Sequence, residues 1–118
     1  MWTYAQCTGA LARDGTPEGT GYSGAGRGRN DPDMQALAGI GPIPRGLYRI
    51  GAAYDHPRLG PCVMKLEPSP DTETFGRTLF RIHGDNQTHD ASHGCIVLGL
   101  ALRHRIAESG DTDLTVTA

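Results

Sequence analysis

Between residues 83 and 95 the chain carries His83-Gly84 and then Ser92-His93-Gly94-Cys95. A thiolate attacks acyl carbons well, but a free cysteine has a pKa near ~8.5 and is mostly protonated at neutral pH. Acyl chemistry at Cys95 therefore needs a nearby base, and histidine is the usual one. His83 is expected at the end of a strand over 79–83, and His93 lies two residues before the thiol. Gly94 lets backbone approach a substrate closely. A helix is expected soon after Cys95, and its first amides could lower the thiol pKa and bind a developing oxyanion.

Each of these residues also has a plainer reading. Cys95 could be a buried structural thiol, since free cysteine is among the most buried residue types. His83, His89, His93 and Cys95 are zinc-ligand types, but their spacing fits none of the common ligand frameworks, so no metal is expected. Cys7 and Cys62 are expected as packed residues on strands, with pairing open in an oxidising compartment. His56 and His104 read as surface residues. Gly19-x-Gly21-x-x-Gly24 formally matches a dinucleotide fingerprint, but no apolar strand precedes it and no helix follows. It reads instead as a loop beside the site. There Arg27 and Arg29 are candidates to pair with substrate carboxylates, with simple solvation as the alternative.

Short elements must position these groups. Trp2 to Arg13 followed by Asp14-Gly15 predicts a strand pair, and a short strand is expected around Tyr22. Asp31 as N-cap, Pro32 in the first turn and Gly39 just past the end predict a short helix. Gly41-Pro42-Ile43-Pro44-Arg45-Gly46 is a stiff, extended connector leading into a strand over 47–50. Further strands are expected over 62–66 and 79–83, with loops over 68–76 and 84–94. Leu98, Leu102 and Ile106 line one helical face, so a helix is expected over 98–108, ended by Gly110. A closing strand follows over 113–117. The total is five to seven strands with two helices.

With 118 residues the chain has room for one core, a single domain over 1–118. Its 17 glycines and 8 prolines favour turns and short elements, hence a mainly β form of the α+β class. A net charge of -2 offers no basic field for nucleic acid. No apolar run reaches the ~20 residues of a membrane span, and no cationic start precedes an apolar stretch as in a secretory signal. Three cysteines leave at least one thiol free.

His83-Gly84 followed by Ser92-His93-Gly94-Cys95 resembles the signature of the L,D-transpeptidase (YkuD-like) catalytic domain. Gly41-Pro42-Ile43-Pro44-Arg45-Gly46-Leu47-Tyr48 resembles that family's Pro-x-Pro-x-Gly-aromatic lead-in to a strand. With Trp2-x-Tyr4, Thr8-Gly9 and Tyr22-Ser23-Gly24, the series is most similar to the L,D-transpeptidase-like antibacterial effectors of type VI secretion. The short spacing from His83 to Cys95, and Ile96-Val97-Leu98 after it, suit that branch better than the wall-building enzymes.

The resemblance implies a β-sandwich-like L,D-transpeptidase catalytic fold with one or two short helices. It implies a peptidoglycan-directed cysteine enzyme acting on tetrapeptide stems, by L,D-carboxypeptidase cleavage or D-amino acid exchange, with no cofactor. His83 would be the general base, with the Gly84 carbonyl orienting its ring. Ser92 and His93 would shape the site, and the Gly94 and Cys95 amides would form the oxyanion hole. Tyr22 and Ser23 would lie near the substrate. Implied partners are peptidoglycan stem peptides, the type VI secretion machinery and a cognate immunity protein, with no membrane insertion. The chain would be made in the bacterial cytoplasm and delivered to a target's periplasm. A different cysteine peptidase or amidase of the wall, or a non-catalytic wall- or metal-binding module, stands as the alternative.

Overall fold

The structure is a computed structural model describing residues 1–118. Ten strands run in chain order: β1 (Trp2–Ala5), β2 (Ala10–Arg13), β3 (Thr16–Thr20), β4 (Tyr22–Ser23), β5 (Gly46–Ile50), β6 (Tyr54–His56), β7 (Gly60–Pro68), β8 (Arg81–His83), β9 (Ile96–Val97) and β10 (Asp113–Thr117). One α-helix, α1 (Leu100–Ser109), precedes the last strand. The strands are hydrogen-bonded in the order β3-β2-β1-β10-β5-β7-β8-β9-β4, with β6 paired to β7 off this path. The β1/β10 and β8/β9 pairs are parallel and the others antiparallel.

The two ends of that path are β3 and β4, which Gly21 alone separates in sequence. The sheet must therefore curl until its edges nearly meet. Backbone crowds there: a Cβ on Gly21 would collide with the Val97 carbonyl, and one on Gly9 with the Gly21 carbonyl. The Gly21 N–H donates to the Gly9 carbonyl at 2.8 Å. The mainly β expectation is met by a nearly closed, barrel-like sheet, more strands than expected and one α-helix.

Alternation along the strands turns one face of the sheet into the core. Trp2 and Tyr4 of β1, Tyr48 and Ile50 of β5, Met64 and Leu66 of β7, and Leu114 and Val116 of β10 form one buried cluster. Ile82, Ile96, Leu98 and Ile106 join it, with Leu102 packed against it. Asp14-Gly15 closes the β2/β3 hairpin with both φ values positive, 50° and 84°, as a two-residue type I′ turn requires.

Several expectations need correction. The helix expected from Asp31 to Gly39 is a 3₁₀ turn over Pro32–Met34, although Asp31 does cap it by accepting from the Asp33 N–H. The last helix begins at Leu100, with Gly99 as N-cap, and ends at Gly110 in the left-handed region with φ 71°. Leu98 lies before it. The strand expected over 79–83 is shorter: β8 covers only Arg81–His83, and Leu79 before it has a φ of 64°, outside the extended region. Cys7 is exposed in a turn after β1, not packed on a strand, whereas Cys62 is buried on β7; all three cysteines are free. No helix is long and apolar enough to cross a membrane.

Candidate active site

The parallel pairing of β8 with β9 sets Ile82 beside Ile96 and His83 beside Val97. Alternation then puts Arg81 and His83 on one face with Val97, the face turned away from Ile82 and Ile96 of the core. Cys95 is the bend residue directly before β9; continuing the register by one residue would set Arg81 opposite it and His83 on the diagonal. Strand spacing and a two-residue rise set their Cβ atoms roughly 8 Å apart, within reach of an imidazole and a thiol turned toward each other.

His83 is buried, and its Nδ1 lies 2.8 Å from the Gly84 carbonyl. A carbonyl only accepts, so Nδ1 carries the proton and Nε2 is the free basic atom. Burial holds the His83 pKa below its ordinary value of 6.5 against an upward pull from the Gly84 carbonyl, and the Arg103 and Arg81 cations add smaller downward pulls. The ring is neutral at pH 7 and able to take a proton.

Cys95 lies half-buried, with its thiol donating to the Leu79 carbonyl at 3.7 Å. Burial pushes its pKa up, partly offset by the Arg81 N–H and by the Arg81 and Arg77 cations. The resting pair is thus a neutral thiol and a neutral imidazole, and the thiol must turn from Leu79 toward the ring to react. The helix N-terminus expected beside the thiol lies beyond β9, so α1 supplies no amide to it. One prediction follows from the raised thiol pKa. Iodoacetamide should alkylate Cys95 slowly at pH 7, with a rate still climbing above pH 9; a plateau by pH 7 would contradict the neutral resting thiol.

Ser92 is fully buried and ties the nucleophile loop together. Its Oγ donates to the Cys95 carbonyl at 2.7 Å and accepts the N–H groups of Gly24 at 2.9 Å and Gly94 at 3.1 Å. The Gly94 N–H is thereby occupied, whereas the Cys95 N–H has no partner within the protein. Of the two amides expected to hold an oxyanion, the Cys95 N–H is the one available. His93 is exposed and lines two adjoining cavities, one of about 360 Å³ with Cys95 and Gly94, the other of about 230 Å³ with His83 and Gly84.

The residues expected near the substrate divide differently. Ser23 is fully buried, and its Oγ accepts the Ile43 N–H at 2.9 Å, so it fixes the Pro-rich connector and does not face the groove. The Tyr22 hydroxyl donates to Asp85 at 2.6 Å and accepts the Ala91 N–H at 2.9 Å, bracing the 84–94 loop from β4. Arg29 stacks on the Tyr22 ring at 3.9 Å and donates to the His89 carbonyl. Arg27 is exposed in a 3₁₀ turn over Gly26–Gly28.

A family model, the Tlde1 domain, matches residues 18–109, a stretch that runs from within β3 through β9 and α1 and includes His83, Ser92, His93 and Cys95. The chain belongs to the Tlde1 domain family, a family of type VI secretion effectors. No curated protein and no solved structure matches the chain. Within the Tlde1 match, three arginines that sequence reasoning passed over support the site. Arg77 is buried, with Nη1 donating to the Gln35 and Pro42 carbonyls at 2.5 and 2.7 Å and Nη2 to the Gly41 carbonyl at 3.1 Å. It satisfies carbonyls of a connector that has no strand partner there. Arg103 of α1 bonds the Leu98 and Pro61 carbonyls at 3.0 and 2.5 Å and packs under Gly84. Arg81 offers its N–H to the thiol.

Gly94 is required twice over. Its φ of 130° disfavours any side chain, and a Cβ would collide with Nη2 of the pinned Arg77. Gly94→Ala should cost about 1–3 kcal/mol in urea unfolding. An unchanged midpoint would mean that the loop and Arg77 can move apart freely.

Proposed function

We propose that this domain is a cysteine acyltransferase acting on peptidoglycan tetrapeptide stems, with an L,D-transpeptidase-like fold, and that it serves as an antibacterial effector. The observation that carries the chemistry is His83, fixed by the Gly84 carbonyl with Nε2 free, on the strand that pairs with the one Cys95 leads into. Membership of the Tlde1 domain family supports the effector role. The resemblance of His83-Gly84 and Ser92-His93-Gly94-Cys95 to the L,D-transpeptidase signature supports the substrate.

In the proposed reaction the His83 Nε2 takes the thiol proton as Sγ attacks the carbonyl carbon of the third stem residue, at its L-configured centre. The Cys95 N–H meets the developing oxyanion. The imidazolium then gives its proton to the departing amine of the terminal D-Ala, leaving a thioester on Cys95. Water attacks the thioester with loss of a proton to His83, giving a tripeptide carboxylate and restoring the thiol. A D-amino acid in place of water gives exchange. Ser92 holds the loop in register, and His93 walls the groove between thiol and imidazole.

An effector of this kind meets its substrate in the periplasm, carried there by the type VI machinery, and its producer needs an immunity protein that blocks the groove. Expression in a bacterial cytoplasm should be tolerated, while fusion to a secretion signal should cause swelling or lysis that Cys95→Ala abolishes. Equal toxicity in both compartments would point to a cytosolic target.

A further inference from the structure

Pairing of β7 with β8 sets Lys65 beside Arg81, and the Arg81 N–H reaches the thiol of Cys95, the residue just before β9. Lys65 and Arg81 therefore stand side by side on neighbouring strands, on the face turned away from Met64 and Ile82, with Cys95 next to Arg81. Like charges placed directly opposite weaken a strand pair. Neither cation is relieved by an acid, since neither takes part in any of the ion pairs. Lys65 Nζ lies 5.7 Å from the centre of the Tyr54 ring, and the Arg81 guanidinium makes no hydrogen bond within the protein. One acid, Glu67, lines the same cavity; it makes no ion pair, and it stands against the three cations Lys65, Arg77 and Arg81 there.

This cavity of about 400 Å³ runs along the pair, lined by Lys65, Glu67, Arg77, Phe80 and Arg81 among others. It adjoins the Cys95 groove along residues 77–80, which line both. Leu79 stands between the two, 73% exposed with its backbone held at φ 64°, an uncommon conformation for a leucine. A peptide whose scissile carbonyl reaches the thiol would lie across Leu79 and place its next group in the basic cavity.

We infer that this cavity is a subsite for the free C-terminal carboxylate one residue beyond the scissile bond, held by Lys65 and Arg81. One strand spacing, ~4.8 Å, separates the Arg81 and Cys95 positions. One residue of peptide, ~3.8 Å between Cα atoms, separates a scissile carbonyl from such a carboxylate. The two spans match closely enough for both ends to engage together. The subsite makes the enzyme an exopeptidase: an internal bond presents an uncharged amide where the two cations expect an anion. This inference takes the acyl reaction at Cys95 from the proposed function and adds what selects its substrate.

The test compares iodoacetate with iodoacetamide, reagents of nearly equal size that differ in one negative charge. Their alkylation rates are followed at Cys95 by peptide mass mapping, with N-acetylcysteine amide as the neutral reference thiol. The ratio cancels changes in thiol pKa and requires no turnover, so it succeeds or fails independently of the proposed reaction. The iodoacetate preference at Cys95 should exceed the reference and fall about threefold for each of Lys65→Gln and Arg81→Gln. It should also shrink in 1 M salt. A ratio equal to the reference, or one the double variant leaves unchanged, overturns the subsite. On peptides, the double variant should raise KM for a stem ending in a carboxylate about tenfold more than for the C-terminal amide. Equal effects on both stems would also overturn it.

Discussion

Cys95→Ala is expected to reduce trimming of tetrapeptide stems by on the order of 10⁴-fold or more, the scale on which removal of a covalent nucleophile acts. Cys7→Ala and Cys62→Ala should retain turnover. Cys7 is exposed in a turn remote in sequence from the site, and Cys62 is buried on β7. Only Cys95 has an open groove in front of it, a neutral histidine on the strand paired with β9 and an unpaired N–H of its own. Cys62→Ala removes a buried group and should lower stability by about 1 kcal/mol, so its activity is best read per folded molecule. Near wild-type trimming by Cys95→Ala would end the covalent mechanism.

The second large effect separates the histidines. His83 is rigid: it is buried on a strand, and the Gly84 carbonyl at 2.8 Å selects its tautomer. His93 is exposed on a loop and lines the cavities on both sides of it. His83→Ala should therefore lose about 10²-fold or more in kcat, the usual scale for a general base. His93→Ala should lose less. Because burial and neighbouring cations hold the His83 pKa below 6.5, the imidazole stays deprotonated in mildly acid solution. The acid limb of kcat/KM should accordingly fall below pH 6.5 in the wild type, and be missing from the residual activity of His83→Ala. A reversed ranking of the two variants would move the base role to His93.

Much of this site was legible before any coordinates, because its signals are local. Gly84 follows His83 in sequence, so the carbonyl that orients the ring arrives with it. Ser92, Gly94 and Cys95 share one tight loop. The Asp14-Gly15 turn, the Gly110 stop and the closing strand over 113–117 are likewise written in adjacent residues. What was missed depends on partners far away in sequence. Lys65, Arg81 and Cys95 come together only through the pairing of β7, β8 and β9, and β9 has just two residues. Arg77 and Arg103 look like ordinary solvated arginines until the connector carbonyls and the floor under Gly84 are brought to them. Ser23 was expected near the substrate through the resemblance, but its hydroxyl is fully buried and accepts the Ile43 N–H.

The helix expected at Asp31 failed for a related reason. Its punctuation was sound, and Asp31 does cap a 3₁₀ turn. Gly41 follows so closely that a Cβ there would collide with the Met34 carbonyl, and the chain must fold back into the Pro-rich connector instead of extending a helix.

The central claim is that Cys95 and His83 cut the bond before the terminal D-Ala of a peptidoglycan stem. Mass spectrometry of purified tetrapeptide muropeptides incubated with the domain addresses it most directly. The proposed reaction predicts tripeptide stems and free D-Ala, with D-amino acid exchange products when a D-amino acid is supplied, and neither with Cys95→Ala. Unchanged muropeptides, or products cut at any other bond, would contradict it.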